Sequence, residues 1–248
     1  MIDHSTTWRL IPLLSATGQV QMAIDRWLLE QHRLGKHPPT LRFYTWNPAA
    51  ISLGYHQQRW PEFWQNLTWQ GKPLEIVRRP SGGRAVLHQG DLTYGVITSG
   101  LAQRRIVAYQ QICQFLIEGW RSLGFELQYG SAQRNSIHHS NCFATATGAD
   151  LVLPDGSKLI GSAQLRRDRA ILQHGSILIN PNQFLYQQVF QQPPPVSGQL
   201  QDYLKNQAIT PADFQQQIIT ALVEAARRCF QIELIVEPLS DAELNRFW

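Results

Sequence analysis

One cysteine of the chain stands where no packing pattern accounts for it. Cys142 lies in the stretch SAQRNSIHHSNCFATATG, residues 131–148, which is rich in polar residues and follows neither a helical nor a strand period. A cysteine thiolate is a strong nucleophile, whereas a buried structural cysteine is inert. Cys142 is therefore a candidate nucleophile, and the alternative is that it is an ordinary loop residue.

The other two cysteines have a packing explanation. One row of residues spaced by three or four comprises Ile106, Tyr109, Cys113, Leu116 and Trp120. A second row comprises Ile218, Leu222, Ala225 and Cys229. Rows with this spacing form the apolar face of a helix, so Cys113 and Cys229 are predicted to lie in the core. Three cysteines without paired spacing also argue against a disulfide framework or a structural zinc site.

A lysine follows Cys142 along the chain and begins an unusual strand. The segment starting at Lys158 is KLIGSAQ, and its interior is Gly161-Ser162-Ala163, where branched residues would be usual. Small side chains allow a ligand to approach the backbone closely. The alternative is a bulge or close packing between strands. The segment QHGS, which contains His174, interrupts a later apolar strand in a similar way.

A third segment combines glycines with positive charge. In RRPSGGRAVLH, residues 78–88, the first seven residues, RRPSGGR, separate the apolar runs LEIV and AVL. A surface hairpin requires a glycine-containing turn, but it does not require two arginines and a histidine beside the turn. The segment therefore indicates a turn that holds a ligand. As alternatives, Arg78 and Arg79 would be solvated charges at a strand end, and His88 and His174 would be core histidines with satisfied hydrogen bonds.

The remaining pattern predicts an α+β protein whose mixed, mostly antiparallel sheet has helices grouped beside it. Strands are predicted for WRLIPLL, TLRFYTW, AAISLGY, LEIVRR, RAVLH, LTYGVIT, FELQYG and IELIVEP, and three more for residues 150–179. Helices are predicted within residues 15–34, 102–123, 184–189, 211–230 and 241–248, the last capped by Ser240. A single domain spanning residues 1–248 accommodates all of these elements.

Composition and charge restrict the class of protein. Hydrophobic residues make up 43% of the chain and charged residues 16%, which is typical of a globular protein. The net charge is +4 and the basic pairs are scattered, so no nucleic-acid-binding arm is expected. We find neither a signal-peptide pattern nor an apolar run of the ~20 residues that a membrane span needs. A cytoplasmic protein that does not bind membranes is expected.

The three motif segments together resemble the lipoate/octanoate attachment family, which includes lipoate–protein ligases, octanoyltransferases and, more distantly, biotin–protein ligases. RRPSGGRAVLH resembles the family's Arg-Arg-x-Ser/Thr-Gly-Gly signature. Lys158, Gly161 and Ala163 fit its Lys-x-x-Gly-x-Ala motif, and QHGSILI fits the His-Gly strand that follows. The resemblance covers essentially the whole chain. It implies a biotin/lipoate ligase-like catalytic domain over residues 1–248, without an accessory C-terminal domain.

Within this family, two features resemble the cysteine-dependent octanoyltransferases. Residues 82–88 read GGRAVLH, and Asn141-Cys142-Phe143 precedes the lysine strand. Ligases usually have a third glycine where this chain has Arg84, and an Asn-Asp pair where it has Ala149-Asp150. The resemblance thus implies transfer of an octanoyl group from acyl carrier protein to the lysine of a lipoyl domain or of the glycine-cleavage H protein. The alternatives are an ATP-dependent lipoate–protein ligase, an octanoyl/lipoyl amidotransferase, and a binding module without catalytic activity.

The resemblance also assigns roles to residues, with Cys142 as the nucleophile and Lys158 as its partner. An ammonium about 4 Å from the thiol, at an effective dielectric of ~20, contributes about 4 kcal/mol, or roughly 3 pKa units at most. Whether Lys158 acts as an acid or a base stays open. The residues expected to bind the acyl substrate are Arg79, Ser81, Gly82, Gly83, His88, Gly161, Ser162, Ala163 and His174. No metal or other cofactor is expected, since ATP and magnesium belong to the ligase alternative. A monomer that meets its carrier proteins transiently is expected.

Overall fold

A computed structural model of the protein describes residues 6–130, 150–195 and 197–247. The helices are α1 (Gly18–Arg33), α2 (Arg105–Ser122), α3 (Gln183–Phe190), α4 (Gly198–Asn206), α5 (Pro211–Phe230) and α6 (Asp241–Leu244), with a 3₁₀ helix at Glu62–Asn66. The strands are β1 (Thr7–Ala16), β2 (Thr40–Trp46), β3 (Ala50–Leu53), β4 (Thr68–Trp69), β5 (Lys72–Pro73), β6 (Glu75–Arg78), β7 (Val86–His88), β8 (Asp91–Thr98), β9 (Gln128–Tyr129), β10 (Asp150–Val152), β11 (Lys158–Arg167), β12 (Ala170–Leu178) and β13 (Glu233–Val236).

Most of the strands form one large sheet. Its order is β13-β1-β2-β8-β12-β11-β10-β9. Strand β1 pairs in parallel with β13 and β2, and the other pairs in this sheet are antiparallel. A smaller sheet has the order β6-β3-β7, and β4 pairs with β5. The expected α+β class with a mostly antiparallel sheet and flanking helices is confirmed.

Different helices cover the two faces of the large sheet. Leu92, Tyr94 and Val96 of β8 pack in one apolar cluster with α2 and α5. Ile97, the next residue, packs in another cluster with α1. Successive side chains of a strand point to opposite faces, so β8 is buried on both sides. The small sheet packs against α3 and Trp64 of the 3₁₀ helix.

Local signals place several helix ends where the sequence predicts them. Helix α5 begins with Pro211 after Thr210, whose side chain accepts a hydrogen bond from the Asp213 N–H. Ser240 and Glu243 form a capping box at α6. Within the described ranges, none of the helices combines the length and the apolar character needed to span a bilayer.

Other elements differ from the sequence prediction. Strands β2 and β3 form on either side of Asn47-Pro48 but belong to different sheets. The segment FELQYG contains only the two-residue β9. Helix α4 was not predicted, because its sequence GQLQDYLKN is polar and buries only Leu200.

The prediction that Cys113 and Cys229 lie in the core is confirmed in part. Cys113 is completely buried, whereas Cys229 is half-buried and packs at the margin of the core. The predicted helix starts at Arg105, so Ile106 lies in its first turn and is 47% exposed. The apolar face of α2 therefore reaches the core only about one turn after the helix begins.

Candidate active site

A narrow cavity of about 40 Å³ is lined by residues of both the large and the small sheet. Its lining comes from α1, from strands β2, β3, β7, β8, β11 and β12, and from the glycine turn, which we define as residues 79–84. The predicted site residues that line it are Arg79, Gly83, His88, Gly161, Ser162, Ala163 and His174. Ser81, Gly82 and Lys158 are not part of this lining. Three separate sequence motifs therefore meet at one cavity.

The Arg79 side chain stabilises the backbone of the glycine turn. Its guanidinium is buried and donates hydrogen bonds to the carbonyl oxygens of Ser52 at 2.9 Å, Gly82 at 2.8 Å and Arg84 at 2.6 Å. It also donates to the Ser52 Oγ at 3.1 Å. Arg79 is thus not the solvated charge that the alternative interpretation proposed. It fixes the backbone of the turn against β3, and part of its side chain faces the cavity.

The two glycines of the turn, Gly82 and Gly83, differ in whether a larger residue could replace them. Gly83 has a φ of +95°, and a Cβ there would lie 2.7 Å from the Arg79 Nη2. Gly54 packs so closely on the turn that its own Cβ would lie 1.8 Å from the Gly83 carbonyl oxygen. By contrast, a Cβ on Gly82 would meet no atom within 4 Å. Only Gly83 and Gly54 therefore need glycine for the turn to close.

This difference gives a matched pair of variants. Gly83→Ala is expected to lower acyl transfer tenfold or more, because a strained positive φ costs about 1–3 kcal/mol and the clash displaces Arg79. Gly82→Ala is expected to change the rate by no more than about twofold. Steady-state transfer rates and thermal unfolding of both purified variants test this. Equal losses in the two variants would contradict the assignment.

His174 joins the glycine turn to a buried ion pair. Its Nδ1 lies 2.7 Å from the Asp25 Oδ2, and its Nε2 is hydrogen-bonded to the Ser81 Oγ. Asp25 also binds the Arg42 Nη1 at 2.8 Å and accepts a hydrogen bond from the Tyr44 hydroxyl at 2.9 Å. Burial raises the pKa of Asp25, but Arg42 and the hydrogen bonds from His174 and Tyr44 outweigh burial and lower it. An ionised Asp25 therefore orients the His174 ring toward Ser81.

Removal of the positive partner from this network is expected to destabilise the protein. Arg42→Met would leave the Asp25 carboxylate buried without its counter-charge, at a cost of about 3–5 kcal/mol in the free energy of unfolding. Urea denaturation at pH 7 measures this, and the double variant Arg42→Met/Asp25→Asn should recover part of the loss. Because the pKa of Asp25 is lowered by folding, its contribution is present above its unfolded pKa of about 3.9 and is lost as the pH falls through the lower folded value. An unchanged free energy of unfolding in Arg42→Met would contradict this account.

His88 is held by a second set of buried partners. Its Nδ1 lies 2.8 Å from the Asp91 Oδ2 and its Nε2 lies 2.8 Å from the Ser52 Oγ. The ring stacks on Trp46 with 3.8 Å between ring centroids. Burial lowers the pKa of His88 more than Asp91 raises it. We therefore assign the neutral ring, with Nδ1–H donating to Asp91 and Nε2 accepting from Ser52.

Small residues stand opposite each other on β11 and β12, and each strand has its own explanation. The Tyr94 hydroxyl donates to the Ser162 Oγ at 2.8 Å, and a Cβ on Gly175, the residue opposite Ser162, would lie 2.6 Å from the Tyr94 ring. Close packing against Tyr94 thus requires small residues on β12. Gly161, Ser162 and Ala163 also line the cavity. Gly175 of β12 therefore leaves room for the Tyr94 ring, and the small residues of β11 leave room for a ligand.

The chain is similar to known proteins over most of its length. The sequence matches the Lipoyl protein ligase A/B catalytic domain family over residues 17–223. The chain belongs to this family. Octanoyltransferase LipM of Anoxybacillus flavithermus is 36% identical over 235 residues, covering 90% of this chain and 83% of the relative. Octanoyltransferase LipM of Bacillus subtilis is 35% identical over 260 residues, covering 96% and 92%.

Solved structures agree with the fold of this lipoyl ligase-type domain. A protein from T. acidophilum with bound lipoic acid superimposes with a TM-score of 0.75 at 20% identity, covering 97% of this chain and 93% of that chain. A lipoate-protein ligase A bound with ATP gives a TM-score of 0.73 at 21% identity, with the same coverage. The expected biotin/lipoate ligase-like architecture is thus confirmed.

The lysine of the family motif is buried in an ion pair. The Lys158 Nζ lies 2.9 Å from the Asp150 Oδ1, and the two side chains are 2% and 4% exposed. Asp150 is in register with Gly161, so the pair lies beside the part of β11 that lines the cavity. The contribution of about 4 kcal/mol expected from the sequence is that of an isolated ammonium. Because Asp150 lies this close to Lys158, the electrostatic field at a nearby thiol is that of an ion pair. This field is weaker than the field of an isolated cation.

The cysteines of this lipoyl ligase-type domain differ in chemistry. Cys142, the predicted nucleophile, lies outside the described residues. Burial raises the pKa of Cys113 to about 12, so its thiol stays protonated at neutral pH. Burial also raises the pKa of Cys229. Among the cysteines that the structure describes, neither is suited to nucleophilic attack.

Sequence reasoning missed the residues that support the site from other elements. Asp25, Arg42 and Asp91 are buried and bind the predicted histidine pair or its partners. A signal was present in α1, where polar Gln21 and Asp25 occupy positions that are buried. In the described ranges, no three side chains of His, Cys, Asp or Glu converge as metal ligands.

Proposed function

We propose that this octanoyltransferase transfers the octanoyl group from acyl carrier protein to a lysine of a lipoyl domain, or of the glycine-cleavage H protein, through a thioester on Cys142. The observation that carries the proposal is the narrow, mostly apolar cavity between the glycine turn and the small-residue strand. Relatives named octanoyltransferase at 32–39% identity support the octanoyl group and the reaction class.

The first step exchanges one thioester for another. The Cys142 thiolate attacks the carbonyl carbon of octanoyl–acyl carrier protein, and the Sγ–C bond forms. The bond from that carbon to the carrier sulfur breaks, and the carrier leaves as a thiol after taking up one proton. Because a thioester replaces a thioester, this step needs no nucleotide.

The second step forms the amide. The neutral amine of the acceptor lysine attacks the Cys142 thioester, the N–C bond forms, and the C–S bond breaks to return the cysteine thiolate. A base removes one proton from the nitrogen. Formation of an amide from a thioester is downhill, so the acyl group passes to the acceptor without ATP.

The cavity supplies binding and electrostatic stabilisation for both steps. The described pairing of β10 with β11 ends at Gly161, and Ser162 and Ala163 continue along the cavity wall. We assign the backbone N–H groups of this stretch to the thioester oxyanion. The octanoyl chain lies against Trp46, Val86 and Met22, whose apolar atoms line the same cavity.

The test is to incubate the purified protein with octanoyl–acyl carrier protein in the absence of ATP. Intact-mass spectrometry is expected to show one added octanoyl group, and peptide mapping is expected to place it on Cys142, with Cys113 and Cys229 unmodified. Acyl-adenylate formed from lipoate and ATP, with no acyl-protein adduct, would favour the ligase alternative and overturn the proposal.

A further inference from the structure

A second concave surface adjoins the acyl cavity. We call it the arginine groove and define it by Arg26, Arg33, Arg78 and Arg167 together with Tyr55 and Leu165; its volume is about 530 Å³. It contains two carboxylates, Glu30 and Asp168, and both bind Arg33, at 2.7 and 2.9 Å. Four guanidinium groups against two carboxylates leave the groove with an excess of positive charge.

Three elements run from the cavity into the arginine groove. On α1, Met22 lines the cavity, and Arg26 and Arg33 follow it on the groove side. On β11, Ala163 lines the cavity and Leu165 and Arg167, two and four residues on, line the groove. Side chains at this spacing lie on one face of a strand.

The glycine turn and Arg78, the residue before it, make the third connection. Arg79 and Gly83 line the cavity, whereas Arg78 and Pro80 line the groove. The Arg26 guanidinium donates to the Arg78 carbonyl oxygen at 2.6 Å, so the groove wall is tied to the turn. The arginine groove is therefore the outward continuation of the cavity.

We propose that the arginine groove docks an acidic face of the protein that carries the acyl donor. This inference rests on the proposed function. The octanoyl chain remains bonded to its carrier until the first thioester breaks, so the carrier must contact the surface that continues from the cavity. A net positive groove fits an acidic partner. Tyr55, which is 55% exposed, supplies the aromatic contact area common at protein interfaces.

Arg167 is the best residue for the test, because it is exposed at the β11–β12 turn. Arg167→Glu is expected to raise the KM for octanoyl–acyl carrier protein tenfold or more, with kcat and the KM for the acceptor protein unchanged. With S-octanoyl-N-acetylcysteamine, a neutral thioester without a carrier, the same substitution should not lower the rate. Arg228→Glu is the matched control, because it makes the same charge change on an exposed part of α5 that lines neither the cavity nor the groove.

Direct binding separates this inference from the proposed reaction. The Kd of acyl carrier protein, measured by fluorescence anisotropy at low salt, is expected to rise tenfold or more in Arg167→Glu and to stay unchanged in Arg228→Glu. A raised KM for the acceptor protein in place of the donor, or equal effects of the two substitutions, would overturn the docking assignment. If the wild-type protein binds the carrier through this groove but transfers no octanoyl group, the proposed function fails while the docking surface stands.

Discussion

Replacement of Cys142 by alanine is expected to lower octanoyl transfer from acyl carrier protein by about 10³-fold or more. Loss of a covalent nucleophile commonly costs several orders of magnitude, because the remaining groups can only bind and orient the substrates. The rate is measured as octanoylation of a lipoyl domain over time by mass spectrometry. The variant is also expected to form no acyl-protein adduct.

The control is Cys229→Ala. Cys229 is half-buried at the margin of the core, and its pKa is raised by burial, so this variant should keep both the adduct and the transfer rate. Cys142→Ser provides a second comparison, since a serine hydroxyl is a much weaker nucleophile than a thiolate at neutral pH. Transfer at the wild-type rate by Cys142→Ala without ATP would eliminate the covalent mechanism.

Much of the cavity could be predicted from the sequence because its walls are short motifs with unusual composition. Glycine beside arginine in residues 78–84 predicts a turn that holds a ligand, and Arg79 and Gly83 of this turn line the cavity. The prediction did not include the second role of Arg79, which donates hydrogen bonds to three carbonyl groups around the turn. Small residues inside β11 predict the close approach of a ligand, and Gly161, Ser162 and Ala163 line the cavity. The sequence motifs therefore located seven of the residues that line the cavity.

The buried residues that hold the cavity-lining side chains in place could not be predicted from local composition. Asp25 and His174 are separated by 149 positions and meet only because α1 packs on the face of β12. Periodicity predicts that β2 and β3 are strands but contains no information about their partners, so their division between two sheets was not foreseen. The pairing of Asp150 with Lys158 has the same origin, because it depends on the register of β10 with β11.

The ion pair between Asp150 and Lys158 determines how the role of Lys158 can be tested. Lys158→Met is expected to lower transfer by about 10²–10⁴-fold, the usual range for loss of a proton-transfer group. The substitution also leaves the buried Asp150 carboxylate without its partner at 2.9 Å, which is expected to destabilise the fold by about 3–5 kcal/mol. Transfer rates and the free energy of unfolding must therefore be measured together.

The double variant Lys158→Met/Asp150→Asn separates the two effects, because it removes both buried charges. If the ammonium acts on the reacting groups, the double variant should regain stability but not transfer. Asp150→Asn alone supplies a third test, since it removes the carboxylate that weakens the field of the ammonium. Acyl-adduct formation in Asp150→Asn is then expected to shift to lower pH, because the field of the ammonium at the thiol is stronger once the carboxylate at 2.9 Å is removed. Transfer by the double variant within about tenfold of the wild-type rate would show that Lys158 serves the fold rather than the reaction.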